Sequence, residues 1–168
     1  VAPAPGSSSA AKPAAPAVDL GLSLQVGKYE IQTLLGKGAS GTVYLAKDTF
    51  TGRIVALKTI EPEVFRDPEF GQVYRAQFQN EASLAGKLRH PHIVSIYDAG
   101  VEKKDGRDLR YLVMELVEGT SLQPHCEPAG LLPVVRTAQI AYKCCKALEY
   151  ANSVGVVHRD IKPANIML

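Results

Sequence analysis

His158-Arg159-Asp160-Ile161-Lys162-Pro163-Ala164-Asn165 ends three residues before Leu168, the last of the chain. The stretch fits the pattern H-R-D-x-x-x-x-N, whose four fixed residues arise by chance in about one chain in a thousand of this length. It follows a helical pattern. Val134, Ala138, Ala141, Cys145 and Leu148 recur at spacings of four, three, four and three, one apolar stripe of a helix. Pro133 suits the first turn of that helix and Gly155 its end. Cys145 lies on the stripe and Cys144 beside it, so both read as buried small hydrophobes rather than reactive thiols.

Before Gly119 the pattern is that of strands. Tyr29 to Leu35 and Thr42 to Lys47 flank a glycine-rich turn, and Thr51-Gly52 marks a tight turn before a third strand, Ile54 to Ile60. The spacing predicts a helix across roughly Glu69 to Leu88, closed by His90-Pro91 because proline disfavours helix at the residue before it. Ile93 to Val101 and Leu109 to Glu115 read as two further strands, with the hairpin turn at Lys104-Asp105-Gly106. The expected product is an α+β lobe, an antiparallel five-stranded sheet with one helix, followed by a helical segment. There is no internal repeat.

Composition narrows the classes of function. With 19 basic and 17 acidic residues the net charge is +2, which argues against a nucleic-acid binder that works through a basic field. The apolar fraction of 46% suits a globular protein. Three cysteines without metal-ligand spacing make neither a disulfide framework nor a zinc site, and the expected setting is reducing and cytoplasmic, with membrane anchoring by a downstream segment left open. No apolar run is long enough to span a membrane, and no secretory signal opens the chain. Residues 1 to 18 are almost entirely Ala, Pro, Ser and Gly, with Lys12 the only charge. Such a segment cannot bury enough apolar surface to offset its chain entropy, and residues 1–25 read as a disordered linker. The chain starts with Val1 and stops soon after Asn165, as expected of a piece of a longer protein.

Three candidate features precede the octapeptide. Gly36-Lys37-Gly38-Ala39-Ser40-Gly41, followed by Thr42-Val43, joins two strands. Glycines let the backbone bend tightly over phosphates and aim N–H groups at them, yet the stretch alone is equally a bare hairpin turn. A dinucleotide fingerprint would instead run from strand into helix. Next, Val55-Ala56-Leu57-Lys58 places Lys58 on the face of Ile54, Ala56 and Ile60. A lysine on an apolar face must reach water or a partner. Finally, Glu81 stands among Tyr74, Phe78, Leu84, Ala85 and Leu88 on one side of the expected helix. Burying it alone would cost several kcal/mol. Pairing with Lys58 resolves both anomalies, and the competing reading is a Glu81 that swings to the helix edge.

Taken in this order, G-x-G-x-x-G-x-V, V-A-L-K and H-R-D-x-x-x-x-N make residues 26 to 168 resemble the Hanks-type (bacterial-like) serine/threonine protein kinases, in the N-terminal part of the kinase domain. The resemblance implies a kinase N-lobe and hinge over 26–117 and the beginning of a C-lobe over 118–168. It implies ATP and Mg2+ as cofactors and proteins with Ser or Thr as substrates. Lys58, paired with Glu81, would hold the α and β phosphates beneath the loop Gly36 to Gly41. Asp160 would take or orient the proton of the substrate hydroxyl, Lys162 would neutralise charge near the γ-phosphate, and Asn165 would hold one magnesium ion. Arg159 resembles the arginine of kinases controlled by phosphorylation, and His158 is expected to be structural. Met114 would be the gatekeeper, the backbone of Glu115 and Val117 would meet the adenine edge, and Val43, Ala56 and Met167 would cover its faces. Lys162 two residues after Asp160 implies Ser/Thr specificity.

The pattern also departs from the family. No Asp-Phe-Gly follows the octapeptide. The 168 residues alone are therefore expected to be a poor catalyst, with apolar surface uncovered on the second lobe. A non-catalytic nucleotide-binding or scaffolding pseudokinase-like module is the alternative reading, and a small-molecule phosphotransferase of related fold the third.

Overall fold

The computed structural model describes residues 25–168 apart from 39, 40, 61, 85, 105 and 159. Six strands form one antiparallel sheet: β1 (Gln25–Val26), β2 (Tyr29–Gly38), β3 (Gly41–Asp48), β4 (Ile54–Ile60), β5 (Ile96–Lys104) and β6 (Arg107–Met114), in the order β1-β2-β3-β4-β6-β5. The five expected strands are all present, and the two-residue β1 extends the sheet at one edge. Of the linker expected over residues 1–25, only Gln25 is described, and it belongs to β1.

Strand alternation divides the sheet into two faces. Val26, Tyr29, Ala46, Val55, Leu57 and Val113 pack on one. Ile60 and Leu112 pack on the other with Phe65 and Phe78 from two helices, α1 (Pro62–Arg66) and α2 (Gly71–Ser83). The rings of Phe65 and Phe78 meet edge to face at 6.2 Å. Between the helices Asp67 Oδ1 accepts the N–H groups of Glu69 and Phe70, and a side chain on Gly71 would run into Phe65 O at 2.5 Å. The first helix escapes a reading by period because it is only one turn long, although Pro62 opens it as proline often does.

Two boundaries move. Helix α2 stops at Ser83 rather than at His90-Pro91, because Gly86 takes a left-handed φ of +72° and sends its N–H to Ile96 O at 2.9 Å. Leu84 and Leu88 therefore lie beyond the helix, Ala85 lies outside the described residues, and Glu81 is flanked by Phe78 and Ala82 instead. The strand β5 begins at Ile96 rather than Ile93 and runs on to Lys104, while the hairpin turn falls where expected: Lys104 pairs with Arg107 across 105–106, and a register shift lies between Ile96 and Asp98. Asp105 of the expected turn lies outside the described residues, and Gly106 has φ +74°.

The turn between β3 and β4 is organised by one carboxylate. Asp48, 6% exposed, accepts the N–H groups of Phe50 at 2.9 Å and Thr51 at 3.0 Å and pairs with Lys28 Nζ at 3.1 Å. The hydrogen bond from Thr51, then those of Lys28 and Phe50, hold its carboxyl below its ordinary range against the opposing effect of burial. A carboxyl lowered on folding stabilises the fold above the unfolded value of about 4 and loses that contribution as pH falls through the folded value. The gap in unfolding midpoint between the natural protein and Asp48→Ala should accordingly narrow from about pH 6 to about pH 3. A gap independent of pH would contradict this.

Beyond the sheet, α3 (Val134–Ser153) begins after Pro133 and ends at Gly155, φ +79°, as expected. Its phase differs from the expected stripe. The buried residues are Ile140, Ala147 and Ala151, whereas Val134 is 85% exposed, Cys145 is exposed and Cys144 half-buried. The expectation of two buried cysteines is corrected: the face that packs lies one residue, about 100°, round the helix. The apolar surface expected on this lobe is present, in Leu131, Val134, Val135, Tyr142 and Val157.

Candidate active site

The pairing of β4 with β3 and β6 sets Lys58 opposite Val43 on one side and Leu112 on the other. Alternation turns its side chain to the face that carries α2. There Lys58 Nζ lies 3.7 Å from Glu81 Oε2, with side chains 17% and 29% exposed. Phe78, one helical turn before Glu81, is locked into the core with Leu112, so packing aims the carboxylate.

The glycine-rich stretch is the β2–β3 hairpin, with Gly38 paired to Gly41; Ala39 and Ser40 lie outside the described residues. Its glycines answer different needs. A Cβ on Gly41, φ +139°, would stand 2.1 Å from Thr59 O, so the approach of β4 demands glycine there. At Gly36 a Cβ meets nothing within 4 Å, and at Gly38 only Gly41 O at 4.0 Å. Gly36, Lys37 and Gly38 are all exposed.

Ala56 pairs with Met114 at the end of β6. The next residue, Glu115, donates its N–H to Ser95 O at 2.9 Å, and its Oε2 accepts the Ser95 N–H at 3.1 Å. Val117 is half-buried. Past Gly119 the chain runs antiparallel to the last three residues. Leu122 N–H donates to Ile166 O at 2.8 Å, Leu168 N–H to Thr120 O at 2.9 Å, and Ser121 bridges Met167. A Cβ on Gly119, φ +129°, would fall 2.1 Å from Leu168 O. Met167 is thereby held beside the segment that leaves β6.

Around the octapeptide a single turn gathers three groups. Lys162 is extended, Pro163–Asn165 makes a 3-10 turn, and Asn165 N–H closes on Lys162 O at 2.9 Å. That turn brings Asn165 Nδ2 to Asp160 O at 2.9 Å and Asp160 Oδ2 at 3.0 Å, while Lys162 Nζ reaches Asp160 Oδ2 at 2.8 Å. The Lys162 hydrogen bond, followed by Asn165 and the charges of Lys162 and His158, pulls the Asp160 carboxyl below its ordinary range, against a smaller effect of burial. His158 is exposed, and its Nδ1 accepts the Asp160 N–H at 3.3 Å. Arg159 lies outside the described residues.

Two lines of similarity meet these groups. The protein kinase domain family matches residues 29–168. The chain belongs to this family. A probable serine/threonine-protein kinase of Streptomyces coelicolor is 43% identical over 142 residues, 84% of this chain and 20% of that protein. The probable serine/threonine-protein kinase PknB of Corynebacterium glutamicum is 38% identical over 141 residues, 84% of this chain and 21% of that one. Among solved structures, the PknI kinase domain of Mycobacterium tuberculosis superposes with a TM-score of 0.71 at 34% identity, covering 87% of this chain and 56% of the other. The chain thus spans about a fifth of these curated relatives and a little over half of a solved kinase domain.

The protein-kinase fold accounts for the antiparallel lobe and for the start of a helical one. Some contacts of this kinase stretch carry no short-range signal. Tyr150 on α3 accepts the Arg89 N–H at 3.3 Å and stacks on His90 at 5.3 Å, joining the two lobes across 61 residues of chain. Ser95 is another such residue. Among the described residues no three of His, Cys, Asp and Glu are grouped to hold a metal, and no helix is long and apolar enough to cross a membrane.

Proposed function

We propose that the protein is an ATP-dependent serine/threonine protein kinase, with residues 26–117 as its N-lobe and hinge and 118–168 as the opening of its C-lobe. The observation that carries this reading is the Lys58–Glu81 pair at 3.7 Å on the helix-covered face of the sheet. A held ammonium there serves the α and β phosphates of ATP. The open surface at Gly36 and Gly38 supports close approach of those phosphates to the backbone. Met114, the backbone of Glu115 and Val117, and the side chains of Val43, Ala56 and Met167 form the adenine site.

Asp160, kept ionised by Lys162 and Asn165, accepts the proton of a Ser or Thr hydroxyl on a protein substrate. Lys162 then offsets charge on the transferred phosphoryl group. Magnesium, general to this family, shields the phosphates when bound. Asn165 fits it: Nδ2 is committed to Asp160, which leaves the amide oxygen, a hard ligand, for the ion. Since these 168 residues hold no Asp-Phe-Gly, we expect the polypeptide alone to transfer phosphate poorly.

The test is nucleotide binding in the natural open reading frame that contains these residues. ATP with magnesium should raise the unfolding midpoint, and Lys58→Met should weaken binding about ten- to a hundredfold, the scale of a charged hydrogen bond removed. Glu81→Gln should weaken it less. Lys58→Met binding ATP as tightly as the natural protein would refute the reading.

A further inference from the structure

Ser95 and Glu115 face each other one position past Ile96 and Met114, the last pair of the β5–β6 ladder. A hydrogen-bonded antiparallel pair exchanges two main-chain bonds, each N–H donating to the opposite carbonyl. Only one of the two is made here, from Glu115 N–H to Ser95 O at 2.9 Å. The Ser95 N–H donates instead to the carboxylate of Glu115, at Oε2 and 3.1 Å. The side chain has taken the place of its own main-chain carbonyl.

We infer that the Glu115 carboxylate is a positioning residue that sets purine specificity: by occupying the Ser95 N–H it keeps the Glu115 carbonyl out of the sheet and free to accept the amino group of adenine. This rests on the proposed reading of the hinge. The chemistry discriminates, because a carbonyl matches the 6-amino donor of adenine and repels the 6-oxo acceptor of guanine. Ser95 cannot readily drift away from its partner. Its loop is held by Gly86 N–H on Ile96 O at 2.9 Å, Ile93 N–H on His90 O at 3.0 Å and Arg89 N–H on the Tyr150 hydroxyl at 3.3 Å. Without the carboxylate, the Ser95 N–H turns to the Glu115 carbonyl and completes the ladder, drawing that oxygen from the base.

The experiment compares ATP and GTP, each with magnesium, by calorimetric titration of the natural protein and of Glu115→Ala, Glu115→Met and Glu115→Gln. Alanine or methionine should weaken ATP about three- to tenfold, the effect of one hydrogen bond, and leave GTP nearly unchanged. Glutamine retains an acceptor oxygen and should recover most of the lost ATP affinity. Methionine fills the volume of the glutamate and serves where alanine prevents folding. An ATP-to-GTP ratio unmoved by alanine and methionine, equal losses for both nucleotides, or a glutamine variant no better than methionine would overturn the inference while leaving the kinase reading intact. A natural protein that binds neither nucleotide would overturn both.

Discussion

Asp160→Ala in the natural open reading frame should lower the initial rate of phosphate transfer from ATP to a test protein about 10²- to 10⁴-fold, the usual worth of a positioned general base. The residual rate comes from positioning and charge stabilisation, which dominate phosphoryl transfer. Nucleotide affinity, which the proposed function assigns to Lys58 and the hinge, should change far less. Asp160→Asn should lose comparable activity, since an amide keeps the loop's shape without accepting a proton. The electrostatics add a second readout. Lys162, 2.8 Å from Asp160, holds the carboxyl below its ordinary range, so the acid limb of the rate profile should lie low, and Lys162→Met should shift it to higher pH. Transfer undiminished in Asp160→Ala would leave a scaffold or a different phosphotransferase as the better account.

Leu112→Ala should cost about 2–5 kcal/mol of stability, against a total of about 5–15 kcal/mol for an ordinary domain. The residue is fully buried, pairs with Lys58 and Ala99 across the sheet, and packs with Ile60, Phe65 and Phe78. Neither neighbouring strand can move in to fill the hole, because both are held by ladder bonds. Denaturant unfolding should register the loss, and the thermal midpoint should fall on the order of 10 °C. Because Phe78 sits one turn from Glu81, the same truncation should loosen the Lys58–Glu81 pair and weaken ATP binding even where the lobe stays folded. Val101→Ala, at a position 54% exposed, is the control and should stay within about 0.5 kcal/mol of the natural protein. A Leu112→Ala variant within about 1 kcal/mol of it would mean that this core does not anchor α2.

Much of the candidate site is legible before any coordinates. Alternation along Ile54–Ile60 puts Lys58 on the helix-facing side because the period of a strand is local. The spacing of glycines between two apolar runs makes the β2–β3 hairpin, and Pro133 and Gly155 bracket α3 through their own backbone preferences. The octapeptide carries its own turn, so Asp160, Lys162 and Asn165 meet through bonds that span at most five residues. These features need no knowledge of what lies across the fold.

Phase and partner are different. An apolar stripe announces that a helix will pack, but the contact decides which side does, and α3 buries Ile140, Ala147 and Ala151 while Cys145 faces out. Glycine at 41 reads as flexibility, whereas the backbone oxygen of Thr59 is what forbids a side chain there. The carboxylate of Glu115 looks like an ordinary strand-end charge until Ser95 arrives from twenty residues away. Sequence alone determined which elements form and which chemical groups the chain carries, since turn chemistry and hydrophobic period act between near neighbours. Tertiary structure decided which side of a helix packs and which distant groups, such as Ser95 and Glu115, meet, since register and packing join segments that no local pattern relates.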